Sequence, residues 1–135
     1  MIYLLDSNVF SDLMHDRADI RLRFGAISPT DPIRICTIVR GEVLFGLQRM
    51  PDGKRRQDLE REAAKLFKMI PCEPIPVSVA DRYSSTKRSR QRAGLPMDEN
   101  DLWIAATALA LGATLVTRDS DFQKVAGLAS EDLTK

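Results

Sequence analysis

The chain has 135 residues, 44% of them hydrophobic and 29% charged. That is enough for one domain with its own core and too little for two, and it excludes collagen-like, low-complexity or wholly disordered classes. Twenty Lys plus Arg against nineteen Asp plus Glu leave a formal charge of +1, so no global field draws the protein to nucleic acid or membrane and any electrostatics must be local.

The start, MIYLLDSNVF, reaches Asp6 without a basic lead-in or a long apolar run, so neither a signal peptide nor a membrane span is expected. Residues IYLL (2–5) predict a short strand ending at Asp6. Val9, Phe10, Leu13 and Met14 then recur at helical spacing, with Asp6 or Ser7 as cap. A polar stretch over 17–32 with Pro29 and Pro32 predicts a loop, and IRIC (33–36) a second strand. From Thr37 the positions Ile38, Val39, Val43, Leu44 and Leu47 predict a helix running to about Met50. A charge-laced helix follows over 54–69.

The three prolines of PCEPIPVSV permit only short extended structure. A helix over 78–92, capped by Ser78, precedes Gly94, and DENDLWIAATALALG predicts an apolar helix with an acidic first turn stopping at Gly112. TLVT (114–117) reads as a buried strand, RDSDF as a turn into a short helix, and GLAS as an edge strand. Apolar strands separated by helices predict an α/β fold, a central, mainly parallel sheet sandwiched by helices, in one domain spanning 1–135.

Chemistry is limited by inventory. His15 is the one histidine, in the polar stretch MHDRAD, and reads as a solvated surface residue; Cys36 and Cys72 lack the paired spacing of a zinc or redox site. A reducing cytoplasm is the expected home. There is no GxSxG elbow, GxGxxG turn or P-loop. Carboxylates remain. Ligands of open α/β sheets sit beyond the carboxyl ends of the strands, and there the sequence places Asp6 after the first strand and Asp119, beside Asp121, after TLVT. Glu42 lies in the helix after IRIC, and Asp98 and Asp101 lie in the first turn of DENDLWIAATAL.

Two carboxylates about 4 Å apart repel by roughly 4 kcal/mol at an effective dielectric near 20. Such a group must raise its pKa values or bind a cation. Oxygen ligands without His or Cys favour Mg²⁺ or Mn²⁺, which can activate water and stabilise a leaving oxygen in phosphodiester hydrolysis. Each acid taken alone also reads as a cap or turn residue: Asp6 and Asp98 as caps, Asp101 at a helix N-terminus, Asp119 and Asp121 in a turn. Glu42 is the exception, because a carboxylate inside the apolar GEVLFGL needs a partner.

YLLDSNVFSDL, EVLFGL, NDLWIAATALALGATLVTRDSDF and GLASEDL together resemble the PIN-domain ribonucleases, and among them the VapC-like toxins of bacterial and archaeal toxin–antitoxin pairs, over nearly the whole chain. The resemblance implies a PIN-like three-layer α/β/α sandwich. Its acidic quartet falls on Asp6, Glu42, Asp101 and Asp119, as catalytic and metal-binding residues, with Asp98 as a neighbour and Asp121 behind the quartet. Ser7 and Asn8 match the hydroxyl and Asn after the first Asp, and Thr117 the Thr before the last. The resemblance further implies Mg²⁺- or Mn²⁺-dependent cleavage of RNA, commonly tRNA or ribosomal RNA, inhibition by a cognate VapB-like antitoxin, and a homodimer.

The stretch DRYSSTKRSRQRAG carries Arg82, Lys87, Arg88, Arg90 and Arg92 against Asp81. It is a local basic face for RNA, with Tyr83 available to stack on a base, or equally a solvated helix side. Phe10, Phe45 and Trp103 fit helix packing. Two rival readings are a catalytically silent RNA- or antitoxin-binding module of the same fold, and a phosphoacceptor receiver domain using Asp52 of MPDGK. Against the receiver, Asp52 follows a helix rather than a strand, and Arg118 stands where a lysine is expected.

Overall fold

The structure is a computed structural model describing residues 1–15 and 30–133. Most of the polar loop expected over 17–32 therefore lies outside the described residues. The strands are β1 (Tyr3–Leu5), β2 (Ile33–Cys36), β3 (Cys72–Glu73), β4 (Thr114–Val116) and β5 (Ala129–Glu131). The helices are α1 (Ser7–Met14), α2 (Thr37–Gln48), α3 (Lys54–Met69), α4 (Val79–Arg92) and α5 (Glu99–Leu111), and a 3-10 turn covers Ser120–Lys124.

The sheet order is β3-β2-β1-β4-β5, and every pairing is parallel. Leu4, Leu5, Ile35, Cys36, Leu115 and Val116 are wholly buried, as strands covered by helices on both faces must be. From β1 the chain moves outward to β2 and β3, then returns to the other side of β1 as β4. Strand order thus reverses beside β1, and the crevice between the carboxyl ends of β1 and β4 is where such sheets bind ligands. Register sharpens this. Leu5 pairs with Val116, so Asp6 and Thr117, the next residues, emerge side by side.

Helices α1, α2 and α3 pack together, and α4 packs on α5. Phe10 stacks on Phe67 of α3 with ring centroids 5.0 Å apart, and the Arg40 guanidinium lies 4.2 Å from the Phe67 ring. Gly112 ends α5 with φ 63°, a left-handed cap that an L side chain would strain. No helix among the described residues is long and apolar enough to cross a membrane.

Two sequence expectations change here, and a rival reading is removed. Phe45 is not packed but 62% exposed, because it falls on the side of α2 turned away from buried Val39, Val43 and Leu47. Ser78 makes no side-chain cap; its own backbone is already helical. Asp52, the receiver candidate, is a solvent-exposed turn residue paired with Arg56 at 3.0 Å. It stands between two helices rather than at a strand end, which removes that reading.

Candidate active site

Asp6 is the hub. Leaving β1 and capping α1, it is only 4% exposed, and a carboxylate buried so deeply needs donors. It has three: the Ser7 backbone N–H donates to Oδ1 at 2.8 Å, Thr117 Oγ1 to Oδ2 at 2.7 Å, and Asn8 Nδ2 to Oδ2 at 3.4 Å. Thr117 Oγ1 in turn accepts from the Asp119 backbone N–H at 3.0 Å, and Asn8 Oδ1 accepts from the Arg118 N–H at 3.3 Å. The turn after β4 is therefore laced to the start of α1. Asp119 caps the 3-10 turn by accepting from the Asp121 N–H at 2.9 Å. Asp121 is exposed and enters the network only through its backbone.

Glu42 reaches the same crevice from α2. Asn100 Nδ2 donates to its Oε2 at 3.5 Å, while Oε1 is buried with no partner in hydrogen-bond geometry. Asp101 comes from the first turn of α5. Asp98, just before that helix, caps it through the backbone alone, its carbonyl accepting from the Leu102 N–H at 2.9 Å.

The electrostatics show that these groups converge. Burial pushes the Asp101 carboxyl up to about 7, reinforced by the negative charges of Asp6, Asp98, Asp119 and Glu42. Burial also raises Glu42, with Asp6 and Asp98 adding to it, against the opposing influence of Asn100 and Ser7. Asp6 is raised mainly by burial, with Thr117 and Ser7 pulling it back. Acids from four separate stretches thus act on one another at one edge of the sheet.

The donor set suits a hard divalent cation: carboxylate oxygens, no histidine or cysteine among the converging acids, and an unpartnered buried oxygen on Glu42. No three His, Cys, Asp or Glu side chains among the described residues stand at ready-made metal-ligating spacing. His15 is exposed at the end of α1, its Nδ1 2.8 Å from the Ser11 carbonyl.

Two contributors were missed in the sequence. Asn100, beside Asp101 in the acidic first turn, holds Glu42; its place in that turn was the available signal. Arg118 forms a two-pronged ion pair with Asp12 of α1, Nε to Oδ2 at 2.8 Å and Nη2 to Oδ1 at 3.2 Å. Nothing in one sequence links positions so far apart. A groove of about 1060 Å³ runs between α1, α2 and α3 and reaches Glu42; Ser7, Asn8, Asn100, Phe45 and Met50 are also among its walls.

The basic stretch is only partly a surface. Arg82, Arg88 and Arg92 are exposed. Lys87 is bound to Glu99 at 2.5 Å and to the Tyr83 hydroxyl at 3.1 Å. Arg90 is 6% exposed, because it falls on the inner face of α4 with Val79 and Thr86. Tyr83 is already stacked on Trp103, centroids 3.9 Å apart and planes 5° from parallel, and its hydroxyl donates to Glu99. That face of the ring is not open to a base.

An all-parallel sheet of this order with acids converging at the β1–β4 crevice defines a PIN-type α/β domain. The chain belongs to the PIN domain family, whose model matches residues 3–128. Ribonuclease VapC1 of Haemophilus influenzae (strain R2866) is 32% identical over 140 residues, covering 100% of both chains. The structure of VapBC-1 from nontypeable Haemophilus influenzae superposes with a TM-score of 0.87 at 26% identity over 100% of both chains. That of VapBC2 from Rickettsia felis, bound to a DNA fragment from their promoter, gives 0.89 at 22%, covering 97% of this chain and 98% of the other. At that lower identity the likeness concerns the fold.

Proposed function

We propose that this chain is a divalent-metal-dependent endoribonuclease, the toxin of a toxin–antitoxin pair. It hydrolyses phosphodiester bonds of tRNA or ribosomal RNA, acts in the cytoplasm as a homodimer, and is silenced by a VapB-like antitoxin. The observation that carries this reading is the convergence of Asp6, Glu42, Asp101 and Asp119, whose charges add to the rise that burial gives the Asp101 carboxyl. Its full-length likeness to a relative named as a ribonuclease supports it, as do related structures of VapBC toxin–antitoxin systems.

Asp6, Glu42, Asp101 and Asp119 would hold Mg²⁺ or Mn²⁺. Such an ion, when bound, supplies charge neutralisation, an acidified water and stabilisation of the departing oxygen. The protein's own part is positional. Thr117, Ser7 and Asn8 orient Asp6, with Thr117 and Ser7 opposing the rise that burial gives its carboxyl, Asn100 steadies Glu42, and the Asp121 N–H fixes the Asp119 carboxylate. Asp101, divided between protonated and ionised forms near neutrality, is the group whose ionisation a cation would complete. The groove between α1, α2 and α3 gives a single RNA strand an approach to the site along Glu42.

The test is cleavage of a panel of purified tRNA and ribosomal RNA with Mg²⁺, Mn²⁺ or EDTA, using the chain and its Asp101→Asn variant, with and without the adjacent gene's product. Metal-dependent cuts lost in the variant and suppressed by that product are expected. RNA binding without cleavage under every metal condition identifies a silent binding module instead.

A further inference from the structure

Arg90 carries a charge that no ion pair among the described residues answers. The residue is only 6% exposed. Nη1 donates one long bond, 3.4 Å, to the Lys124 carbonyl, and Nε has no hydrogen-bond partner. No carboxylate among the described residues forms an ion pair with it, in contrast to Arg118, Arg56 and Arg61. A buried guanidinium in this condition is costly. The C-terminal turn of α4, where Arg90 lies, offers only partial negative charge.

The same arginine lines a cavity of about 210 Å³ between α4, α5 and the segment before β5, with Arg82, Ser85, Ser89, Leu109 and Ala126. None of these residues belongs to the acidic site. A water occupies about 30 Å³ of liquid volume, so the space accommodates a tetrahedral phosphate with a remnant of hydration. Its polar lining residues are Arg82, Arg90, Ser85, Thr86 and Ser89, with no carboxylate; the Ser85 hydroxyl also donates to the Asp81 and Arg82 carbonyls. Arginine forks match phosphate oxygens in pairs, and two of them balance a doubly charged anion where one suffices for a carboxylate.

We propose that this cavity is a phosphate-binding site, with Arg90 as its buried floor and Arg82 as its exposed rim. It is independent of the metal-dependent cleavage argued above. Two sources present the same chemistry: an RNA backbone phosphate held away from the acids, or free inorganic phosphate.

The full-length protein is titrated with inorganic phosphate in EDTA at constant ionic strength, with acetate as the competing anion, by calorimetry and by thermal melting. Saturable binding that raises the melting temperature, unmatched by acetate, is expected. Arg90→Met should abolish it, and Arg82→Gln should weaken it by about tenfold or more. Arg82 is exposed, so its variant decides the matter even if Arg90→Met fails to fold. A 2′-O-methyl RNA that cannot be cleaved separates the sources. Binding weakened by Arg82→Gln and competed by phosphate assigns the RNA backbone; RNA binding indifferent to both assigns free phosphate. No saturable phosphate binding, equal binding of acetate, or phosphate binding unchanged in Arg82→Gln overturns the proposal.

Discussion

Thr117 Oγ1 donates to Asp6 Oδ2 at 2.7 Å across 111 positions of sequence, joining the carboxyl ends of β1 and β4 at the point where strand order reverses. The same oxygen accepts from the Asp119 N–H. One hydroxyl therefore positions two acids.

Thr117→Val keeps shape and removes both bonds. A hydrogen bond to a charged group is worth about 1.5–3 kcal/mol, so RNA cleavage should fall by about tenfold to a hundredfold, with Thr117→Ser retaining most of it. Initial rates at saturating Mg²⁺ measure this; equal rates for the Val variant and the parent would show that the hydroxyl is not needed.

Asp6→Asn and Asp101→Asn should each reduce metal-dependent cleavage to background while circular dichroism spectra stay unchanged. Asp6 is the more exacting case, since its oxygens accept from Ser7, Asn8 and Thr117 and an amide cannot accept at both ends. Retained turnover in Asp101→Asn would remove that carboxylate from the mechanism.

Stability without metal should depend on pH in a defined sense. The Asp101 pKa is raised from 3.8 to about 7, so the folded chain holds that proton more tightly than the unfolded one. Its contribution is complete below about pH 4 and is lost as pH rises through about 7. Asp6 and Glu42 shift in the same direction. In EDTA the protein should melt lower at about pH 8 than at about pH 5.5, Asp101→Asn should flatten the difference, and Mg²⁺ should restore stability at the higher pH. A melting temperature that climbs with pH in EDTA contradicts this assignment.

Asp12 is 7% exposed and Arg118 is more open to solvent, which screens part of their attraction. Asp12→Ala should therefore cost about 1–2 kcal/mol, below the 3–5 kcal/mol typical of breaking a fully buried pair. Urea denaturation reads the stability. Cleavage should fall further than stability alone explains, because Arg118 lies between Thr117 and Asp119. An active variant with unchanged midpoint would leave the ion pair without a role.

Much was legible in one dimension. The period of apolar residues marked α1, α2 and α3, since burial of one helical face writes itself into local spacing, while α4 and α5 were read from their end signals and composition. The α3 bounds at 54 and 69 are met. Strand ends, where α/β sheets bind ligands, pointed to Asp6, Glu42, Asp98, Asp101, Asp119 and Asp121, and the resemblance to PIN-domain ribonucleases singled out Asp6, Glu42, Asp101 and Asp119 among them. What failed was facing. Phe45, Tyr83 and Arg90 were read by residue type, yet exposure, stacking and burial are decided by which neighbour occupies the adjacent space.

By itself the sequence determined the elements, the supply of acids and the absence of multi-histidine chemistry, all properties of residue identity and near-neighbour spacing. Only the tertiary structure decided that Thr117 should hold Asp6, that Asn100 should steady Glu42, that Arg118 should meet Asp12, and that Arg90 should lie buried with no ion pair among the described residues. Hydrogen bonds and charge pairs act over a few ångströms of space. Strand pairing brings together residues that the chain itself keeps far apart.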